Sequence, residues 1–174
     1  VKTISQHAET RQRRKELGRL SLRVFPDTVL REKCVSVERF DSTLRDLLAE
    51  MLVLMRVHNG IGLAAPQVGL RQRLFVAEIE GCPLCVVNPT IRVLAGEAAL
   101  CEGCLSLPGV AVNVTRPDYI VASGYDERGW KQHWPAIGLG ARVIQHETDH
   151  LNGVLIIDHG TPVVHTTSTT GDRL

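Results

Sequence analysis

His146, Glu147 and His150 stand in the run QHETDHLNG, Gln145 to Gly153, and this run constrains the chain more than any other. On a helix, side chains four residues apart lie on one face. A helix here lets His146 and His150 face one metal ion, with the Glu147 carboxylate beside them to handle the protons of a water. This H-E-x-x-H arrangement reads as a hydrolytic metal site. The plainer alternative is a surface helix carrying His, Glu and Asp for solubility. The helix is expected from about Ala136 to Asn152, and Gly153 is placed to stop it. Gly138 and Gly140 weaken its first turns by roughly 1 kcal/mol each relative to Ala, or permit close packing beside a pocket.

Such a helix needs a core to rest on. The 174-residue chain is 44% hydrophobic and 22% charged, which suits one globular domain with a full core. The expected organisation is a flexible basic arm over residues 1–20, a single catalytic domain over 21–158 and a polar, disordered tail over 159–174. The arm carries Arg11, Arg13, Arg14, Lys15 and Arg19. It reads as a solvated terminus, a basic arm or the remains of a targeting leader. A formal net charge of +1 gives no bulk electrostatic grip on nucleic acid. No apolar run approaches the roughly 20 residues of a membrane span, and no signal-peptide pattern opens the chain.

Asp41 to Val57 is expected to be helical. Leu44, Leu47, Leu48, Met51, Leu52 and Met55 recur at helical spacing, Asp41 or Ser42 can cap the start, and Asn59-Gly60 can end it. Arg73–Glu80, Leu84–Val87, Ile91–Leu94, Val110–Val114, Asp118–Tyr125, Trp130–Trp134 and Val154–Asp158 read as strands, with Asn88-Pro89 closing the second. Short strands with little helix between them suggest antiparallel pairing. The fold class is therefore α+β, with antiparallel strands packed around a C-terminal helix carrying H-E-x-x-H and one long N-terminal helix.

Two further stretches bear on function. GIGLAAPQVG, Gly60 to Gly69, is rich in small residues that let another backbone or an extended ligand approach, and Gln67 offers an amide. It is no phosphate loop, since no Lys-Ser/Thr follows. A tight loop under a sheet is the plainer reading. EGCLSLPG, Glu102 to Gly109, presents Cys104 in a glycine-flanked, extended segment. The five cysteines, Cys34, Cys82, Cys85, Cys101 and Cys104, favour a reducing compartment. Cys82-x-x-Cys85 and Cys101-x-x-Cys104 also have the spacing of a four-cysteine zinc ribbon, although an apolar strand follows the first pair where a glycine is usual.

GIGLAAPQVG, EGCLS and QHETDHLNG, in this order, resemble the three signature motifs of the peptide deformylases. The resemblance extends to FPDTVLREKC upstream and VLIID downstream, roughly Phe25 to Asp158. It implies metal-dependent hydrolysis of the N-formyl group from N-terminal formylmethionine of nascent peptides, with formate released. It implies Cys104, His146 and His150 as ligands of one divalent ion, Fe²⁺ foremost, with Zn²⁺, Ni²⁺ or Co²⁺ also suited. It gives Glu147 the role of general base and then acid, and Gln67 and the Leu105 N–H the role of oxyanion donors. The peptide would lie extended along Ile61, Gly62 and Gly103. Leu139 and Val143, with Ile61, would line the methionine pocket, or simply pack in the core. Glu102 and Arg116 are expected to pair and brace the cysteine segment, and Asp149 to play a supporting part. Partners would be formylmethionyl nascent chains at the ribosome, in a bacterial cytoplasm or an organelle. Small, apolar Gly109-Val110-Ala111 depart from the charged or polar groups that many members carry there, and the long C-terminal helix of some members is missing.

Two rival classes share parts of the pattern. A metallopeptidase would need a third ligand downstream, where only His159 and His165 stand. A metal-binding module without turnover would need neither Gln67 nor Glu147.

Overall fold

The computed structural model describes residues 20–163. The basic arm and residues 164–174 of the tail lie outside the described residues. Helix α1 (Ser42–Val57) precedes β1 (Gly62–Ala64), β2 (Leu74–Ile79), β3 (Cys82–Ala95), β4 (Ala98–Cys104), β5 (Leu107–Arg116), β6 (Tyr119–Tyr125) and β7 (Lys131–Ile137). Helix α2 (Gly138–Leu151) and β8 (Pro162–Val163) follow. One sheet has the order β1-β2-β3-β6-β7 and the other β4-β5-β8, and every pairing of these strands is antiparallel. This is the α+β class expected from the sequence.

Strand β2 shows how the core is arranged. Successive side chains of a strand point to opposite faces. Leu74 and Val76 join the cluster of Leu44, Leu48, Met51 and Met55 from α1, and Phe75 and Ala77 join Ala141, Val143, Ile144 and Leu151 from α2. All four β2 residues are fully buried. The larger sheet therefore lies between the two helices. A third cluster, with Leu30, Leu107, Val112, Val114, Leu155 and Ile156, holds the smaller sheet.

The helix ends follow local chemistry. Asp41 Oδ1 accepts from the Leu44 N–H at 3.1 Å, one of the donors left unpaired in a first turn. Beyond α1, Asn59 takes a left-handed φ of 55°. Helix α2 starts at Gly138 rather than Ala136, because Ala136 and Ile137 still pair with β6. Past its end, Gly153 has φ 75°, and a Cβ there would stand 2.5 Å from the Arg31 carbonyl oxygen, so a side chain is excluded.

The structure corrects three local expectations. Asn88-Pro89 does not close a strand. β3 runs through it with a register shift between Val87 and Thr90, and the Asn88 side chain bonds both the N–H and the carbonyl of Val37, at 2.8 and 2.9 Å. Val154–Asp158 is not a strand. Ile156–Asp158 forms a 3₁₀ turn in which the Asp158 carboxylate accepts from the Leu155 N–H at 2.8 Å and pairs with Arg31. Such local side-chain bonding competes with extended pairing. The tail also begins later than residue 159, since Pro162 and Val163 pair with Val112 and Ala111 of β5. No helix among the described residues is long and apolar enough to cross a membrane.

Phe75→Ala should remove about 3–5 kcal/mol of stability, measured by urea denaturation, because Phe75 is fully buried between the larger sheet and α2.

Candidate metal centre and active site

Strand β4 delivers Cys104 and helix α2 delivers the two imidazoles. A bulge between Gly103 and Cys104 sets Cys104 opposite Leu107 at the end of β4. There its Sγ lies 3.3 Å from His150 Nε2. The His146 and His150 rings stand edge to face with centroids 5.0 Å apart. One donor atom from each of Cys104, His146 and His150 falls within 4.8 Å of the others. This is the group of three or more candidate ligands among the described residues. The four-cysteine alternative gathers no such group, and Cys82 and Cys101 are exposed.

Neighbours orient each donor. Glu102 Oε2 lies 3.0 Å from His146 Nδ1, which turns Nε2 of that ring toward the site. Burial disfavours charge on His146, but its hydrogen bonds to Cys104 and Glu102 outweigh this and push it up to about 10. Burial instead holds His150 well below its ordinary value, so its ring is neutral. The Gln67 side chain is fixed at both ends. Its Oε1 accepts from the Ala64 N–H at 2.8 Å, and its Nε2 donates to Ser106 Oγ at 3.2 Å and faces Cys104 Sγ at 3.5 Å.

Glu147 is buried beside these donors, and its Oε2 has no hydrogen-bond partner. Burial pushes its carboxyl up to about 7. Its room comes from Gly62, where a Cβ would stand 2.2 Å from Glu147 Oε1. His150 Nδ1 is likewise buried without a partner.

Beneath the donors lies a buried ionic cluster. Arg116 holds Glu102 through Nε–Oε1 at 2.7 Å and Nη2–Oε2 at 3.0 Å. It also reaches Asp149 at 2.8 Å, and Asp149 takes His159 at 2.8 Å. Burial works against the Glu102 carboxylate, but the hydrogen bonds from His146 and Arg116 outweigh it and hold it down to about 2. The expected Glu102–Arg116 pair is thus part of a larger assembly, which Arg142 also enters.

A pocket of about 420 Å³ opens above the site, lined by every sequence-predicted site residue except His150. Val143 is buried in it, while Ile61 and Leu139 are half-exposed or more at its mouth, at 50% and 62%. Leu105 and Gly103 flank Cys104 on its wall. Sequence reasoning missed Ser106, Arg142 and the contact of His159. Arg142 carried a signal, as a cation four residues before His146 on a helix face otherwise destined for burial.

Soft and borderline donors beside a buried carboxylate, on an α+β scaffold, define a hydrolase with a candidate mononuclear metal site. The sequence matches the polypeptide deformylase family over residues 20–165. A peptide deformylase of Clostridium botulinum is 46% identical over 141 residues, 81% of this chain and 96% of that one. One from Dictyoglomus turgidum is 42% identical over 139 residues, 80% and 91% of the two chains. Among solved structures, the peptide deformylase of Thermotoga maritima matches with a TM-score of 0.80 at 42% identity, covering 82% of this chain and 98% of that one. A peptide deformylase from Synechococcus elongatus, in complex with actinonin, matches with a TM-score of 0.79 at 46% identity over 81% and 78%. The chain belongs to the polypeptide deformylase family, hydrolases that remove the N-formyl group from nascent peptides.

Two measurements test this geometry. Gly62→Ala should keep the fold by circular dichroism and lower kcat by about 10²-fold or more, because the methyl displaces Glu147. Glu147→Gln should stabilise the metal-free protein. A carboxyl raised from 4.5 to about 7 contributes its favourable protonated form fully below the unfolded value and loses it as pH rises through the folded one. Urea denaturation should therefore find the variant more stable by roughly 3 kcal/mol above pH 7, and equal to the parent below pH 4.5.

Proposed function

We propose that the chain hydrolyses the formyl amide of N-terminal formylmethionine on nascent peptides, releasing formate, with Cys104, His146 and His150 holding one divalent ion. The observation that carries this reading is the unpartnered Glu147 oxygen beside three donors within 4.8 Å of one another. A thiolate and two imidazoles fit Fe²⁺, the ion proposed in vivo, and suit Zn²⁺, Ni²⁺ or Co²⁺. When bound, the ion supplies a water whose pKa falls from 15.7 toward about 7 and polarises the formyl oxygen.

The chain's own residues then divide the work. Glu147 takes the proton of the attacking water at its free oxygen and passes it to the leaving amine. The Gln67 amide N–H, held in place from Ala64, and the Leu105 backbone N–H meet the charge that develops on the formyl oxygen. Burial around Glu147 excludes bulk water from the proton's path. β1 and β4 are edge strands of their sheets, and both line the pocket. An extended peptide can lie between them, bonded to the backbone at Ile61, Gly62 and Gly103. Its methionine side chain enters between Ile61, Leu139 and Val143. The catalytic unit extends through β8 and acts on chains emerging from the ribosome of a bacterial cytoplasm.

The peptidase reading is weaker because His159, its candidate third ligand, is bound to Asp149. Glu147→Ala should keep its metal by elemental analysis and lose about 10²–10⁴-fold in kcat for formate release from a formyl-Met dipeptide. Unformylated peptide should stay intact. Normal formate release by that variant would overturn the assignment.

A further inference from the structure

Arg142 is buried, lies on α2 one turn before His146, and is used by nothing described so far. Its Nη1 donates to Glu102 Oε1 at 2.5 Å and to the Val114 carbonyl at 2.9 Å, and its Nη2 to the Ala98 carbonyl at 2.6 Å. Residues four apart share a helix face, so Arg142 and His146 reach the same carboxylate from the same side of α2. That carboxylate stands on β4, the strand that ends in Cys104. Arg116 does not duplicate this tie. It comes from β5, so its fork on Glu102 stays within the smaller sheet. Its own link to α2 runs through Asp149, whose side chain is 24% exposed and shared with His159.

We propose that Arg142 is a positioning residue that pins α2 on β4 through Glu102, so that the imidazoles on the helix and the thiol on the strand keep ligand spacing. The proposal rests on the ligand assignment above. Two cations on one carboxylate are tolerable here because Asp149 provides the second negative charge. Arg142 and Arg116 Nε share one Glu102 oxygen, and the other takes Arg116 Nη2 and faces His146 Nδ1. The bonds to Ala98 and Val114 hold the guanidinium across the β4–β5 ladder, so the helix can neither slide along the strand nor roll on it. Removing the cation leaves only Arg116–Asp149 and His146–Glu102 as the ionic contacts between α2 and the smaller sheet described above, and so loosens the helix at the donors.

The test is titration of the metal-stripped chain with Co²⁺, followed by visible absorption. Arg142→Met should keep its far-ultraviolet circular dichroism, bind Co²⁺ about 10–100-fold more weakly and show shifted bands. Arg142→Lys, which keeps a point charge on Glu102, should recover most of that affinity with bands near those of the parent. Arg142→Met combined with Glu102→Gln should lose no more than the larger single effect, since the two act as one unit. Parent-like Co²⁺ binding by Arg142→Met, or a double variant whose losses multiply, would overturn the proposal. If Arg142→Met does not fold, Arg142→Lys decides. Parent-like bands with at most a few-fold loss support it, and shifted bands with a loss of about 10–100-fold sink it. The titration uses no formylated substrate. A chain that binds Co²⁺ in this pattern and releases no formate would defeat the functional reading and leave this one standing.

Discussion

Everything at the centre of this molecule hangs on one carboxylate. Glu102 takes Arg116 from β5, Arg142 from α2 and the His146 ring, so one buried side chain joins the smaller sheet to the helix packed on the larger one. A buried carboxylate is tolerated only when its lone pairs are filled by charged donors. Here they are, and this carboxylate therefore sits far below its ordinary value. Within 14 residues of helix, the chain has placed both core side chains and the donors of the site.

Glu147 has the opposite environment. It is as buried as Glu102, yet no cation donates to it and one oxygen has no partner. The contrast between two neighbouring acids, one saturated and one starved, is what supports proposing Glu147 for the chemistry and Glu102 for the scaffold. Burial without a donor pushes the Glu147 carboxyl up to about 7. Gly62 supports it by omission, since any side chain there would occupy its place.

Much of this was legible in the sequence, for identifiable reasons. The leucines and methionines of α1 repeat at helical spacing and are followed by Asn59-Gly60, so the helix could be bounded from local signals. Cys104, Gln67 and the two imidazoles sat in three short motifs whose order carried the family resemblance. Other features depend on pairing across distance. Asn88-Pro89 looked like a strand end because the Val37 backbone that satisfies Asn88 lies 51 residues away. Pro162 and Val163 looked like tail because their partner, β5, cannot be read from their own composition. Arg142 drew no reading from the sequence, because Ala98, Glu102 and Val114 reach it only through the fold.

Helix α2 has no division of labour along its length. Ala141, Ile144 and Leu151 press into the core from the same rod that carries Arg142, His146, Glu147 and His150. The hydrophobic interior and the chemistry share one rigid body, so the site has no slack of its own. A misfit beneath the helix travels directly to the donor atoms. The fit of the core and the spacing of Cys104, His146 and His150 are therefore one property of this helix rather than two.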